Sequence, residues 1–275
     1  MAGATTTGRP GRERAAGPVV QRATVTVLGH EVVLTRMRPP TGGAGAANAG
    51  PDASATPVVL VHGIGVSGRY FGPLARELAT EGPVLVPDLP GFGSSPRPDE
   101  PLGIADHARV LVELVRREEW ATAPVLVGHS MGAQVVTEAA AQVPGLASGV
   151  VLIGPVTQPG TRSLLRQGWR LLRDGRHETA RANWVVVSDY VRTGIRWYAA
   201  TLPHMIDYPL EDRIADVHEP VLLVRGEHDP IAPPEYLERL AARAVDGRVD
   251  QVPGEGHVVM MHRPRVAAAM CRSLR

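Results

Sequence analysis

Val125-Leu126-Val127-Gly128-His129-Ser130-Met131-Gly132-Ala133-Gln134-Val135-Val136 is the stretch that decides how the chain reads. Three aliphatic residues come first, as in a buried strand. Small and apolar residues then continue through Ala139 and Ala140 at helical spacing. Between them Ser130 is flanked at two residues' distance by Gly128 and Gly132. A strand, a sharp turn and a helix around Gly-x-Ser-x-Gly is the context in which the serine is a nucleophile. The glycines are needed because a side chain there would collide with the neighbouring strand or helix. The hydroxyl is left at a helix N-terminus, where the dipole and a free N–H favour a developing negative charge. A plain Gly-Ser turn is the competing reading, and the flanking strand and helix patterns weigh against it.

Outward from this turn the chain alternates. Val58–Val61, Val84–Val86, Val125–Val127 and Val150–Ile153 are short apolar runs. Patterns at helical spacing separate them, notably Ile104, Ala108, Leu111, Val112 and Val115. After a break, strands are expected at Val221–Val224 and Val249–Val252, with helices at Pro234–Ala244 and Pro264–Arg272. Runs without polar alternation suit parallel strands covered on both faces. The chain therefore reads as α/β, a mostly parallel central sheet flanked by helices, with a helical lid inserted. Right-handed crossovers put the loop after each strand on one edge, where sites form. Ahead of this core, Thr24–Leu28 and Glu31–Met37 read as a hairpin around Gly29-His30. Residues 1–20 read as a disordered tail, and the Gly-, Ala- and Pro-rich stretch from Pro39 to Pro57 as a surface loop. The core is expected over 21–154 and 220–275. The lid is expected over 155–219, which holds Trp169, Trp184 and Trp197 together with Tyr190, Tyr198 and Tyr208.

The totals narrow the function. A chain of 275 residues with 44% hydrophobic residues can bury one large core. A net charge of +1 gives no bulk attraction to nucleic acid or to a membrane surface. No stretch approaches the ~18–20 apolar residues of a membrane span, and the N-terminus lacks the apolar region of a secretory signal. The expectation is a cytoplasmic protein with a small-molecule substrate. Lysine is absent and all 29 basic residues are arginine. That reads as codon bias, and it weakens arguments from arginine clusters. The face formed by Arg162, Arg166, Arg170 and Arg173 thus reads as solvated rather than as a grip on an acidic partner. A single cysteine, Cys271, allows no internal disulfide.

A serine nucleophile needs a base, and the base needs an orienting acid. Asp229 follows one strand, in Arg225-Gly226-Glu227-His228-Asp229-Pro230. His257 follows the last strand, in Pro253-Gly254-Glu255-Gly256-His257. Glu227 and Asp216 are the rival acids and would need a shifted loop. With ten histidines in the chain, position must choose among them. His129 is expected to point away from the serine, and His62, His228 and His262 read as structural. His62-Gly63-Ile64-Gly65 lets the backbone curl so that the Ile64 and Met131 N–H groups form an oxyanion hole. Asp88-Leu89-Pro90-Gly91-Phe92-Gly93-Ser94 reads as a rigid turn, with Phe92 within reach of a substrate. No cofactor and no metal is called for.

Together these pieces resemble the α/β-hydrolase fold, in its lid-bearing, esterase-like branch. The resemblance runs from about residue 56 to the C-terminus, outside the lid. It implies Ser130 as nucleophile, Asp229 and His257 completing the triad, and Ile64 and Met131 as backbone donors. Ala133 stands where many such enzymes have glycine, which narrows the turn. A serine there sets the chain apart from the dehalogenase and epoxide-hydrolase branches, which attack with aspartate. The implied activity is hydrolysis of a carboxylic ester or related acyl bond. Carbon–carbon bond hydrolysis, lactone and thioester cleavage share the same triad, and a non-catalytic binder shares the fold. Trp169, Trp184 and Trp197, with Phe92, are expected to line an apolar pocket.

Overall fold

The computed structural model describes residues 17–40, 55–156 and 180–274. Eight strands form one sheet: β1 (Val19–Val27), β2 (His30–Arg38), β3 (Val58–Val61), β4 (Val84–Asp88), β5 (Val125–His129), β6 (Gly149–Ile153), β7 (Val221–Gly226) and β8 (Gly247–Val252). Their spatial order is β1-β2-β4-β3-β5-β6-β7-β8. From β4 to β8 every neighbouring pair is parallel, while β1 and β2 add an antiparallel edge. The hairpin begins at Val19, earlier than its sequence pattern suggests. It turns on Leu28 and Gly29, both at positive φ, rather than on Gly29-His30. Positive φ at both central residues is the mirror-image turn that matches strand twist.

The apolar runs segregate by parity. Val59, Val61, Leu126, Val150, Leu152, Val221 and Leu223 face one core layer. Val58, Leu60, Val125, Val127, Val151, Ile153, Leu222 and Val224 face the other. The first layer is closed by α2 (Ile104–Arg117), α3 (Met131–Gln142) and α7 (Pro234–Arg243). The second is closed by α1 (Gly72–Leu78), α8 (Val259–His262) and α9 (Pro264–Arg272). Burying one such aliphatic side chain is worth about 1.5–3 kcal/mol, so these two layers dominate the folding energy. Cys271 is buried in α9. β8 departs from the apolar reading: Arg248, Val249 and Asp250 are exposed. It is the outer strand, and charges there discourage pairing with a second sheet.

Between β6 and β7 the described chain forms α4 (Ala180–Thr193), α5 (Ile195–Ile206) and α6 (Leu210–Arg213). These helices are bonded to the core at both ends. Ser67 Oγ donates to the buried Asp189 carboxylate of α4 at 2.5 Å, and Thr193 Oγ1 donates to the Gly65 carbonyl at 2.9 Å. Arg97 donates to the Thr193 carbonyl at 2.8 Å and lies over the Trp197 ring. Further on, Glu138 of α3 accepts from Tyr208 Oη and Arg213 Nε, each at 2.8 Å. Burial alone would raise the Glu138 pKa, but bonds to Arg213, Gln142 and Tyr208 outweigh it and hold the carboxyl low. No helix among the described residues is long and apolar enough to cross a membrane. The arginine face at Arg162, Arg166, Arg170 and Arg173, and Trp169, lie outside the described residues.

Candidate active site

The turn between β5 and α3 places Ser130 at φ 56° and ψ −118°, one of two non-glycine residues at positive φ among those described. Such a conformation costs about 1–3 kcal/mol and persists only where the surroundings enforce it. Here the crowding is visible. A Cβ on Gly132 would lie 2.1 Å from the Val61 carbonyl oxygen, and one on Gly128 2.2 Å from the Gly132 oxygen. The Ser130 N–H is tied to the Ile153 carbonyl at 3.0 Å. Met131 opens α3, so its N–H has no acceptor within the helix.

Asp229 and His257 meet beside this turn. His257 Nδ1 lies 2.9 Å from Asp229 Oδ2, and both residues are buried. The other carboxylate oxygen accepts the Ile231 N–H at 2.8 Å and the Ala232 N–H at 3.3 Å. Burial works to raise the Asp229 pKa, but the charge and hydrogen bond of His257 and the Ile231 N–H outweigh it, and the carboxyl is held low. The paired state of Asp229 fixes the proton on His257 Nδ1, which leaves Nε2 as the nitrogen able to take a proton from an alcohol. Gly154 forms the floor. It follows Ile153, sits at φ +53°, and a Cβ there would lie 2.7 Å from His257 Cε1 and Nδ1. The rival acids are occupied elsewhere, Glu227 with the Gly254 N–H and Asp216 with Arg213.

The loop after β3 closes the opposite side. A Cβ on Gly63 would be 3.1 Å from Ser130 Cβ and 3.5 Å from its Oγ, so this loop passes directly over the serine. His62 shapes it. Its Nδ1 donates to the Gly63 carbonyl at 2.8 Å, and its Nε2 accepts the Leu89 N–H at 2.9 Å. Burial pushes the His62 pKa down, which suits this neutral, structural role. His228 is exposed, and the His262 ring is engaged away from the serine. The His228 N–H bonds the Glu255 carbonyl, and the His262 ring pairs with the Glu255 carboxylate at 3.2 Å.

Of the expected pocket residues, the structure brings Trp197 near, buries Phe92 and turns Trp184 away. The Trp197 ring covers Gly91, where a Cβ would meet it at 2.5 Å, and Tyr190 covers Gly65 in the same way at 2.6 Å. Phe92 is enclosed in the core against His62 and His107. Trp184 is 71% exposed on α4. Aromatic enrichment marks a segment, not which side of its helix faces inward.

Two contributors have roles that their sequence neighbourhood does not announce. Arg225 is buried and laces the turn that carries Asp229. It donates to the Ala232, Glu227 and Asp229 carbonyls at 2.8, 2.9 and 3.4 Å, and to the Gln251 side chain. Tyr70, in the turn before α1, bonds both Gly63 and His129.

A family model described as the alpha/beta hydrolase family matches residues 58–269. Over 234 residues the chain is 28% identical to 2-(acetamidomethylene)succinate hydrolase of Mesorhizobium japonicum, spanning 76% of this chain and 84% of that protein. It is 31% identical over 263 residues to an uncharacterised protein of Mycobacterium tuberculosis, spanning 88% and 77%. Among solved structures, E-2-(acetamidomethylene)succinate hydrolase is similar in fold, with a TM-score of 0.76 at 22% identity over 93% of this chain and 99% of that one.

Proposed function

The chain belongs to the alpha/beta hydrolase family, and we propose that it is a serine hydrolase cleaving a carboxylic ester or related acyl bond of a small, largely apolar substrate. One observation carries the reading. The Asp229–His257 pair, at 2.9 Å, stands on Gly154, and the preceding residue, Ile153, accepts the N–H of Ser130, a serine in strained backbone at a helix N-terminus. Ser130 Oγ attacks the acyl carbon as His257 Nε2 takes its proton. The carbonyl oxygen becomes an anion between the Ile64 and Met131 N–H groups. Asp229, ionised, balances the imidazolium. His257 then protonates the departing alcohol, which leaves an acyl group on Ser130. Water repeats the sequence, and the acid departs. Helices α4 and α5 act as a lid whose aromatic underside, Tyr190, Tyr198 and Trp197, encloses the acyl group and excludes water.

A fluorophosphonate should add one phosphonyl group, with loss of fluoride, on Ser130, read by mass spectrometry of the intact protein and of its peptides. An unlabelled, folded protein overturns the reading and favours a binder of this fold. A panel of aryl esters, lactones and thioesters then ranks the bond cleaved. Gly154→Ala supplies a second check. Its new methyl group must displace the His257 ring, so kcat/KM for the best ester should fall by about 10²-fold with the fold retained. Circular dichroism and initial rates on the purified variant measure both.

A further inference from the structure

Behind the serine, Tyr70 and His129 are both buried, at 1% and 4% exposure. The Gly63 N–H reaches Tyr70 Oη at 3.1 Å, Tyr70 Oη lies 2.7 Å from His129 Nδ1, and His129 Nε2 lies 3.0 Å from the His257 carbonyl oxygen. A carbonyl only accepts, so His129 Nε2 carries a proton and donates it. Burial, and then the neighbouring His257, hold the His129 pKa well below its ordinary 6.5, so the ring is neutral and its Nδ1 accepts. Tyr70, whose own pKa burial raises, must therefore donate its hydroxyl proton to Nδ1 and accept from Gly63. One arrangement of protons satisfies every group in the chain.

We infer that Tyr70 and His129 are positioning residues: a two-membered bridge inside the protein that sets the oxyanion loop at one end and the main chain of the base at the other. The inference rests on the serine-hydrolase reading. The Gly63 N–H belongs to the peptide just before the one that carries the Ile64 N–H, so the bond to Tyr70 anchors the entry to that peptide, whose Gly63 carbonyl is held by His62. The bond from His129 fixes the backbone of residue 257, from which the imidazole projects. Neutrality matters too. The His129 and His257 rings are 4.5 Å apart between centroids, and a charged neighbour would oppose the imidazolium that forms on His257. Tyr70, by donating to Nδ1, keeps that nitrogen unprotonated.

Tyr70→Phe, His129→Leu and the double variant test the bridge with the best aryl ester. Each single change should lower kcat by about 10- to 100-fold, with KM within about threefold of the parent, because neither side chain meets substrate. The double variant should fall no more than about threefold below His129→Leu, since a broken bridge cannot be broken again. A Tyr70→Phe protein within about twofold of the parent, a loss carried by KM, or losses that multiply overturns the inference. The unmutated protein gives a readout that needs no variant to fold. Nitrogen-15 shifts should show His129 as the neutral Nε2–H form, unchanged between about pH 5 and 9. A titrating ring, or the Nδ1–H form, overturns it. Full turnover in Ser130→Ala would instead defeat the underlying serine-hydrolase reading.

Discussion

Ser130→Ala should cut kcat for a short-chain aryl ester by about 10⁴- to 10⁶-fold, the largest effect any single change in this chain is expected to have. Removing the nucleophile leaves the oxyanion donors and the binding surface, and such sites retain only a residual advantage over water. The change should be nearly silent in stability. Alanine inherits the same φ of 56° and the same crowding between Gly128 and Gly132, so the strain is not relieved. Thermal unfolding with initial rates on one preparation checks both halves. A folded variant that keeps more than about one-hundredth of the parental kcat sinks the nucleophile assignment.

Asp229→Asn should lower kcat by about 10⁴-fold without dismantling the site. The amide oxygen can still accept from Ile231 and Ala232, so the turn should stand. Its NH₂ group, however, faces His257 Nδ1 and favours the ring form with the proton on Nε2, the wrong end for taking a proton from Ser130. The same variant carries a pH signature. The Asp229 carboxyl lies below its ordinary value of 3.8, so the unfolded chain binds the proton more readily than the folded one. Its stabilising contribution is present above pH 3.8 and is lost as the pH falls through the lower folded value. Chemical denaturation across that range should show parent and variant converging towards acid. Parallel curves would mean that the carboxylate is not held by His257 as described.

Most of this architecture could be read from residue patterns because its signals are local. Glycine spacing around Ser130, apolar runs without alternation, and turns rich in glycine after strands each depend on a few neighbouring residues. The turn at Ser130 and the parallel sheet follow from them directly. Other contributors answer to distant partners. Nothing around Tyr70 announces a bond to His129, 59 positions away, and Arg225 looks like any other arginine in a chain that uses arginine for every basic position. Trp184 shows the converse. Its segment was rich in aromatics, but helical phase relative to the core decided that Trp197 lies over Gly91 while Trp184 faces out. The outer strand β8 likewise keeps an alternation of charge that only its place at the sheet edge explains.

The helices between β6 and β7 do not merely rest on the sheet. Asp189 grips Ser67 and Thr193 grips Gly65, and these two partners bracket the short stretch that begins one residue after Ile64. On the proposed mechanism, a guest bulky enough to shoulder α4 aside would therefore tug on the peptides next to the one whose Ile64 N–H is proposed to hold the anion. On the proposed serine-hydrolase reading, admission and readiness are mechanically linked, and molecules slim enough to enter without disturbing α4 are expected to turn over faster.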